Sequence, residues 1–141
     1  MRIALIAHDS RKELMAQFCT AYLRILSENE LVATGVTGKI VHDATGLPVR
    51  CLYPGGRGGA EQIAAMIGCG EIDMLLFFRD PVSAKPGEPN DVMLLRLCDM
   101  HTIPVATNIA TAEVLIHGLE RGDLAWNELQ RGRKGPITKP T

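Results

Sequence analysis

Aromatic residues are scarce in this chain: one Trp, two Tyr and three Phe among 141 residues. A surface that stacks unpaired nucleobases needs more ring faces than that, which argues against a single-stranded nucleic-acid platform. An excess of one charge is also lacking. Fifteen Lys and Arg stand against sixteen Asp and Glu, a formal net charge of −1, so nothing draws the chain to a polyanion or an anionic membrane. The N-terminal apolar run, Arg2–Ala7, is too short for a signal peptide or a membrane span and meets His8-Asp9 at once. These absences imply a cytoplasmic protein with no nucleic-acid and no membrane partner. The four cysteines, Cys19, Cys51, Cys69 and Cys98, are widely spaced inside apolar patterns, and are expected to be reduced and buried. No His, Cys and carboxylate set has metal-ligand spacing, and no Gly-x-Ser-x-Gly elbow occurs, so no metal is expected.

What is present alternates. Arg2–Ala7 is a continuous apolar run, as in a strand buried on both faces. A helix capped by Asp9 or Ser10 follows, with Leu14, Phe18, Ala21 or Tyr22, and Ile25 at helical spacing. Next come a strand at Leu31–Thr34, a short helix over Lys39–Ala44 closed by Thr45-Gly46, and a strand at Val49–Leu52. The glycine-rich stretch Pro54–Gln62 opens a helix to about Gly68. The most apolar strand, Ile72–Phe78, is expected at the centre. The proline-bearing loop Arg79–Pro89 leads to a helix capped by Asn90 or Asp91, with Val92, Leu95 and Cys98 or Asp99 on one face. Ile103–Ala106 is the last strand, and a final helix runs through Val114, Leu115 and Ile116. The pattern weakens after Gly118, and the basic tail Arg131–Thr141 is expected to fray or to dock on a neighbour. The whole reads as one domain over residues 1–141, with 119–141 a C-terminal extension. Its fold class is α/β: a doubly wound, five-stranded parallel sheet with helices on both faces.

In such folds ligands bind beyond the carboxyl ends of the strands, where strand order reverses. The segments that follow the strands here are His8-Asp9, Thr34–Gly38, Pro54–Glu61, Arg79-Asp80 and Thr107-Asn108. All are polar or glycine-rich and fall on one rim. Strand, glycine loop and helix let backbone N–H groups approach an anion, although no Gly-Lys-Ser/Thr closes a P-loop and a ligand-free tight turn would use the same glycines. Hydroxyls and amides of Thr34, Thr37 and Gly38, with Lys12, suit a phosphate monoester; the same threonines also serve as helix caps. His8 suits a neutral donor to a substrate oxygen or a satisfied structural histidine. Asp9 and Asp80, at the ends of neighbouring strands, suit acid–base work or capping and loop bracing. His42, His101 and His117 are assigned structural roles.

The chain resembles methylglyoxal synthase along nearly its whole length, from about Arg2 to His117. The resemblance is carried by Ile3-Ala4-Leu5-Ile6-Ala7-His8-Asp9 with Lys12, by Ala33-Thr34-Gly35-Val36-Thr37-Gly38, and by Ala44-Thr45-Gly46. Further on it is carried by Phe77-Phe78-Arg79-Asp80-Pro81, Leu94-Leu95-Arg96-Leu97 and Ile103–Asn108 with Ala110-Thr111-Ala112. It implies a homohexamer and a cofactor-free lyase. Such an enzyme takes a proton from dihydroxyacetone phosphate, forms an enediol(ate) and expels phosphate to give methylglyoxal. His8 would polarise the substrate oxygen, and Lys12, Thr34, Thr37 and Gly55 would hold the phosphate. Asp9 and Asp80 would keep the carboxylate network in order, and Arg96 would sit near a subunit contact. The partner implied is a small phosphorylated substrate, with inorganic phosphate a second ligand of the same site.

The chain departs from the family pattern where the proton is moved. The family's glycine loop reads Gly-Gly-Asp, and that aspartate is the catalytic base; Ala60 stands there. Gly87 stands for a histidine near substrate, Asn90 for an aspartate, and Val36 for a phosphate-contacting threonine. Glu61 is the obvious candidate for a substitute base, one residue further along the helix and so turned by about 100°; the other reading is that its charge simply favours the helix N-terminus. Glu88 and Asp91 are weaker substitutes. A diverged enzyme acting on another phosphorylated small molecule, or a regulatory phosphate-ester-binding module, are the alternatives these departures leave.

Overall fold

Burial on both faces explains the first strand, β1 (Arg2–Ala7), in which Ile3, Ala4, Leu5, Ile6 and Ala7 are all enclosed. The structure, a computed structural model, describes residues 1–82 and 91–132. After β1 the chain makes a 3-10 turn (Asp9–Arg11), helix α1 (Lys12–Ala21) and helix α2 (Leu23–Ser27). Then come β2 (Glu30–Ala33), α3 (Gly35–Thr45) and β3 (Arg50–Cys51). A second 3-10 turn (Gly55–Arg57) precedes α4 (Gly59–Gly68), β4 (Met74–Phe78) and α5 (Asp91–Met100). The described chain closes with β5 (Val105–Ala106), α6 (Ile109–Arg121) and α7 (Ala125–Gln130).

All strand pairs are parallel, in the order β3-β2-β1-β4-β5. Alternation along the strands divides the core in two. Ile3, Leu5, Ala7, Met74, Leu76 and Phe78 meet α1, α2, α3 and α6 on one face. Ala4, Ile6, Leu75 and Phe77 meet α4 and α5 on the other. The five-stranded doubly wound architecture expected from the alternation is therefore present, with helices on both sides; the central strand is β1, and β4, expected at the centre for its apolar run, lies between β1 and the edge strand β5. Its strand order reverses between β1 and β4, whose register pairs Ala7 with Phe78. Among the described residues no helix is long and apolar enough to cross a membrane.

Several expectations are corrected. The helix expected over Lys39–Ala44 starts at Gly35, because a side chain there would put its Cβ 2.8 Å from the Leu52 carbonyl oxygen and only glycine lets the helix begin that close. It ends as expected at Gly46, in the left-handed region with φ 74°. The first helix is broken at Tyr22, and neither Asp9 nor Ser10 caps it: His8 is the N-cap of the 3-10 turn and makes no side-chain cap bond. On α5 the inward residues are Leu94 and Cys98, while Val92 is 66% exposed.

Cys51 and Cys69 are exposed, not buried, since β3 is a two-residue edge strand and Cys69 caps the end of α4. Cys19 and Cys98 are buried as expected. Burial pushes the Cys19 thiol up to about 12 and the Cys98 thiol, also beside Asp99, up to about 11. The segment after Gly118 is more ordered than its pattern suggests. Among the described residues it forms α7, and Arg131 docks on its own chain, its Nη2–H donating to the Ile72 carbonyl at 3.0 Å while Nη1 lies 3.6 Å from Asp73 Oδ1; residues 133–141 of the basic tail lie outside the described residues. His42 Nδ1 lies 2.7 Å from the Leu47 carbonyl oxygen, and His117 meets the Tyr22 ring edge-on.

Candidate active site

Strand alternation aims His8 toward the α4 and α5 face, and its ring meets Phe77 edge-on with centroids 5.3 Å apart. The residue is 4% exposed. Parallel pairing of β1 with β4 brings the Asp80 main-chain N–H to His8 Nδ1 at 2.8 Å, across the point where strand order reverses. A nitrogen that accepts from an amide carries no proton, so the proton of the neutral ring sits on Nε2. Nε2 is buried with no partner among the described residues. A donor buried without an acceptor is costly in a merely structural histidine and useful in one that awaits a substrate oxygen.

The carboxylates expected beside it divide. Asp80 is 7% exposed, accepting the Ser10 hydroxyl at 2.6 Å on Oδ2 and the Val82 N–H at 3.0 Å on Oδ1. Asp9 is exposed and pairs with Lys12 Nζ at 2.8 Å. Lys12 also donates to the Ala7 carbonyl at 2.8 Å, which fixes its ammonium over the end of β1 and leaves one of its three N–H donors for a ligand.

The start of α3 supplies hydroxyls. Thr34 is its N-cap, 2% exposed, and makes no capping bond. Thr37 is 1% exposed, and its hydroxyl oxygen finds no partner among the described residues. The Gly38 N–H donates within the helix to the Thr34 carbonyl at 2.8 Å, and a Cβ on Gly38 would lie 2.6 Å from Cys51 Sγ. Gly38 thus acts here through its missing side chain, letting α3 rest on β3, while its amide is taken. Val36 is 49% exposed beside these threonines.

The glycine loop owes much of its composition to packing. Gly58 has φ 101°, and a Cβ on Gly59 would stand 2.0 Å from the Tyr53 carbonyl oxygen. That carbonyl accepts the Gly35 N–H at 3.1 Å, and the Tyr53 N–H donates to Gln62 Oε1 at 2.8 Å. Gly35, Gly59 and Gln62 therefore clamp the Tyr53 backbone between the starts of α3 and α4. The clamp leaves Gly55 in a 3-10 turn next to the α3 N-terminus. Ala60 is buried in the apolar cluster with Ile6 and Ile63, and Glu61 is exposed in the first turn of α4. No described contact joins Glu61 to His8. Gly87, Glu88 and Asn90 lie outside the described residues; Arg96 is exposed on α5.

The structure thus joins His8, Asp80 and Ser10 directly, and Asp9 with Lys12. Sequence reasoning took Ser10 for a cap and missed Gly35, Gly59 and Gln62; only the doubled glycine at 58–59 was a visible signal for the clamp. Among the described residues no group of three or more His, Cys, Asp or Glu side chains could hold a metal ion.

A doubly wound parallel sheet, with a buried ring nitrogen and a buried hydroxyl that find no partner among the described residues, and a helix start at the same rim, defines a class: a doubly wound α/β protein whose polar rim lies at its topological switch point. Comparison with known proteins makes the class particular. The family model described as MGS-like domain matches residues 15–107. A methylglyoxal synthase of Geobacillus sp. (strain WCH70) is 55% identical over 137 residues, covering 97% of this chain and 98% of that protein. One from Caldicellulosiruptor saccharolyticus is 57% identical over 129 residues, covering 92% of each. The solved structure of a methylglyoxal synthase from Elizabethkingia anophelis NUHP1 superimposes with a TM-score of 0.80 at 34% identity, covering 82% of this chain and 76% of that one. The chain belongs to the methylglyoxal synthase family.

Proposed function

We propose that the chain binds dihydroxyacetone phosphate, or a closely related phosphorylated ketose, at this rim and acts on it as a methylglyoxal-synthase-type lyase. In that reaction a proton leaves the hydroxymethyl carbon and the carbonyl becomes an enediolate. The phosphate, now allylic to the new double bond, departs with the C–O electron pair, and the remaining enol rearranges to methylglyoxal. His8 donates from Nε2 to the oxygen on which charge develops. Thr34, Thr37, the remaining Lys12 N–H and the backbone around Gly55 hold the phosphate. Asp9 keeps Lys12 in place, and Asp80 keeps His8. The observation that carries the reading is the buried Nε2, without a partner among the described residues, of a ring whose other nitrogen already accepts the Asp80 amide.

Glu61 is the proton acceptor in this reading, reaching in from the first turn of α4. Ala60 favours a second one. It is buried among apolar side chains where the family carries its base, and Glu61 is exposed, an arrangement that suits a module that binds phosphate esters without turning them over. By resemblance the protein would be a cytoplasmic homohexamer needing no cofactor. The test is to incubate the protein with dihydroxyacetone phosphate and follow phosphate and methylglyoxal together, alongside Glu61→Gln and Ala60→Asp. Activity abolished by Glu61→Gln supports the lyase with Glu61 as base. No activity until Ala60→Asp supplies a carboxylate supports the binding module. Absence of both turnover and binding in every variant overturns the proposal.

A further inference from the structure

We infer that Ser10 is a positioning residue: by holding the Asp80 carboxylate away from the His8 ring, it keeps His8 an Nε2–H donor. The inference deepens the proposed function and rests on the role given there to His8, although its test reads the ligand-free protein.

Ala7 and Phe78 are register partners at the ends of β1 and β4, so His8 and Asp80 enter the rim side by side. Two groups of Asp80 compete for His8 Nδ1. The main-chain N–H is a donor and requires Nδ1 to be bare; the carboxylate is an acceptor and would draw a proton onto Nδ1, or make the ring a cation. Here the amide holds the position, at 2.8 Å. The carboxylate is turned to other donors: Oδ1 takes the Val82 N–H at 3.0 Å, and Oδ2 takes the Ser10 hydroxyl at 2.6 Å. The second bond is the shorter and is of the charge-assisted O–H···O⁻ kind, which is the stronger class. It also comes from outside the Asp80 loop, since Ser10 lies in the 3-10 turn that follows His8. The turn that carries the histidine thus also carries the hydroxyl that keeps the neighbouring carboxylate from it.

The tautomer decides what the ring can do. With Nδ1 bare, the buried Nε2 must carry the proton and can give a hydrogen bond to a ligand oxygen. A ring protonated on Nδ1 alone would present a lone pair at Nε2 and repel that oxygen.

The experiment is nitrogen NMR of the full chain, labelled at histidine, at neutral pH, with the His8 signals assigned by comparison with His8→Gln. The wild type is expected to show a protonated Nε2 and a bare Nδ1. Ser10→Ala is expected to raise the ratio of Nδ1-protonated to Nε2-only forms roughly tenfold, the scale of one charge-assisted hydrogen bond. Ser10→Thr, which keeps the hydroxyl, retains the wild-type ratio, and Asp80→Asn added to Ser10→Ala returns it toward wild type. Ser10 is exposed, so Ser10→Ala keeps the fold; Ser10→Gly, read the same way, replaces it if the amide spectrum shows otherwise. A wild-type ratio in Ser10→Ala, or a wild-type ring protonated on Nδ1, overturns the inference. An unchanged ratio in Ser10→Ala leaves the proposed lyase standing. Absence of turnover leaves the tautomer result standing.

Discussion

Thr37→Val separates a ligand-binding hydroxyl from a structural one, because the two readings predict opposite signs. Thr37 is 1% exposed and its hydroxyl has no described partner. A buried polar group left unsatisfied costs about 1–3 kcal/mol. Valine keeps the branched shape and removes only the polar atom, so the ligand-free protein is expected to gain about 1 kcal/mol, the low end of that range. For a chain of this size that is a rise in Tm of about 3 °C. The same change deletes a hydrogen bond to a charged ligand, worth about 1.5–3 kcal/mol, so affinity for phosphate or a phosphate ester falls roughly 10- to 150-fold. Thermal unfolding with and without inorganic phosphate, together with titration calorimetry using dihydroxyacetone phosphate, reads both effects. The expected result is a more stable protein that phosphate no longer stabilises. A lower Tm without ligand, with affinity unchanged, would refute the reasoning and make the hydroxyl a structural group.

Gly59→Ala forces a Cβ to within 2.0 Å of the Tyr53 carbonyl oxygen; the backbone must move, and urea unfolding is expected to show a loss of about 3 kcal/mol, the upper end for overpacking. Burial raises the Cys19 thiol from 9.0 to about 12 in the folded protein. Above the unfolded value the unfolded chain therefore releases a proton that the native chain keeps, and stability falls with rising pH. Its share is about 1.4 kcal/mol per pH unit, and urea midpoints at successive alkaline pH values should show a shallower decline in Cys19→Ala. Arg131→Ala removes one member of a pair with Asp73 whose side chains are 8% and 2% exposed. Breaking such a pair is expected to cost about 3 kcal/mol in the same unfolding assay, and an unchanged midpoint would mean that the docking of Arg131 contributes nothing.

The fold was legible because its strands are buried on both faces. Runs such as Arg2–Ala7 and Met74–Phe78 have no polar alternation, and a parallel sheet covered by helices is what such runs can build. Boundaries were less legible where a close approach, not periodicity, sets them: α3 starts at Gly35 because of the Leu52 carbonyl, which lies seventeen positions away in the chain (35 to 52). Helix α7 was missed because burial does not organise it; Trp126 is 71% exposed and Leu129 38%. At the site, His8, Thr34, Thr37 and Asp80 could be picked out because each follows a strand and the strands share a direction. The bond from Ser10 to Asp80 spans 70 positions, and no local pattern announces it. In the sequence the glycine loop offers backbone amides or a tight turn with equal force; in the structure Gly58 and Gly59 answer to the shape of the turn and the clamp on Tyr53. Ala60 is the reverse case. Its meaning came from the family pattern, and its burial gives that substitution a structural setting.

In the proposed reaction His8 donates from Nε2 to the carbonyl oxygen of a phosphorylated ketose held at the rim. The most direct measurement is the infrared carbonyl stretch of dihydroxyacetone phosphate, isotopically labelled at the carbonyl, bound to the wild type and to His8→Gln. The stretch is expected at lower frequency in the wild-type complex and largely restored in the variant, with binding retained through the phosphate. A bound ketose whose carbonyl is the same in both proteins and in water, or no bound ketose at all, would contradict it.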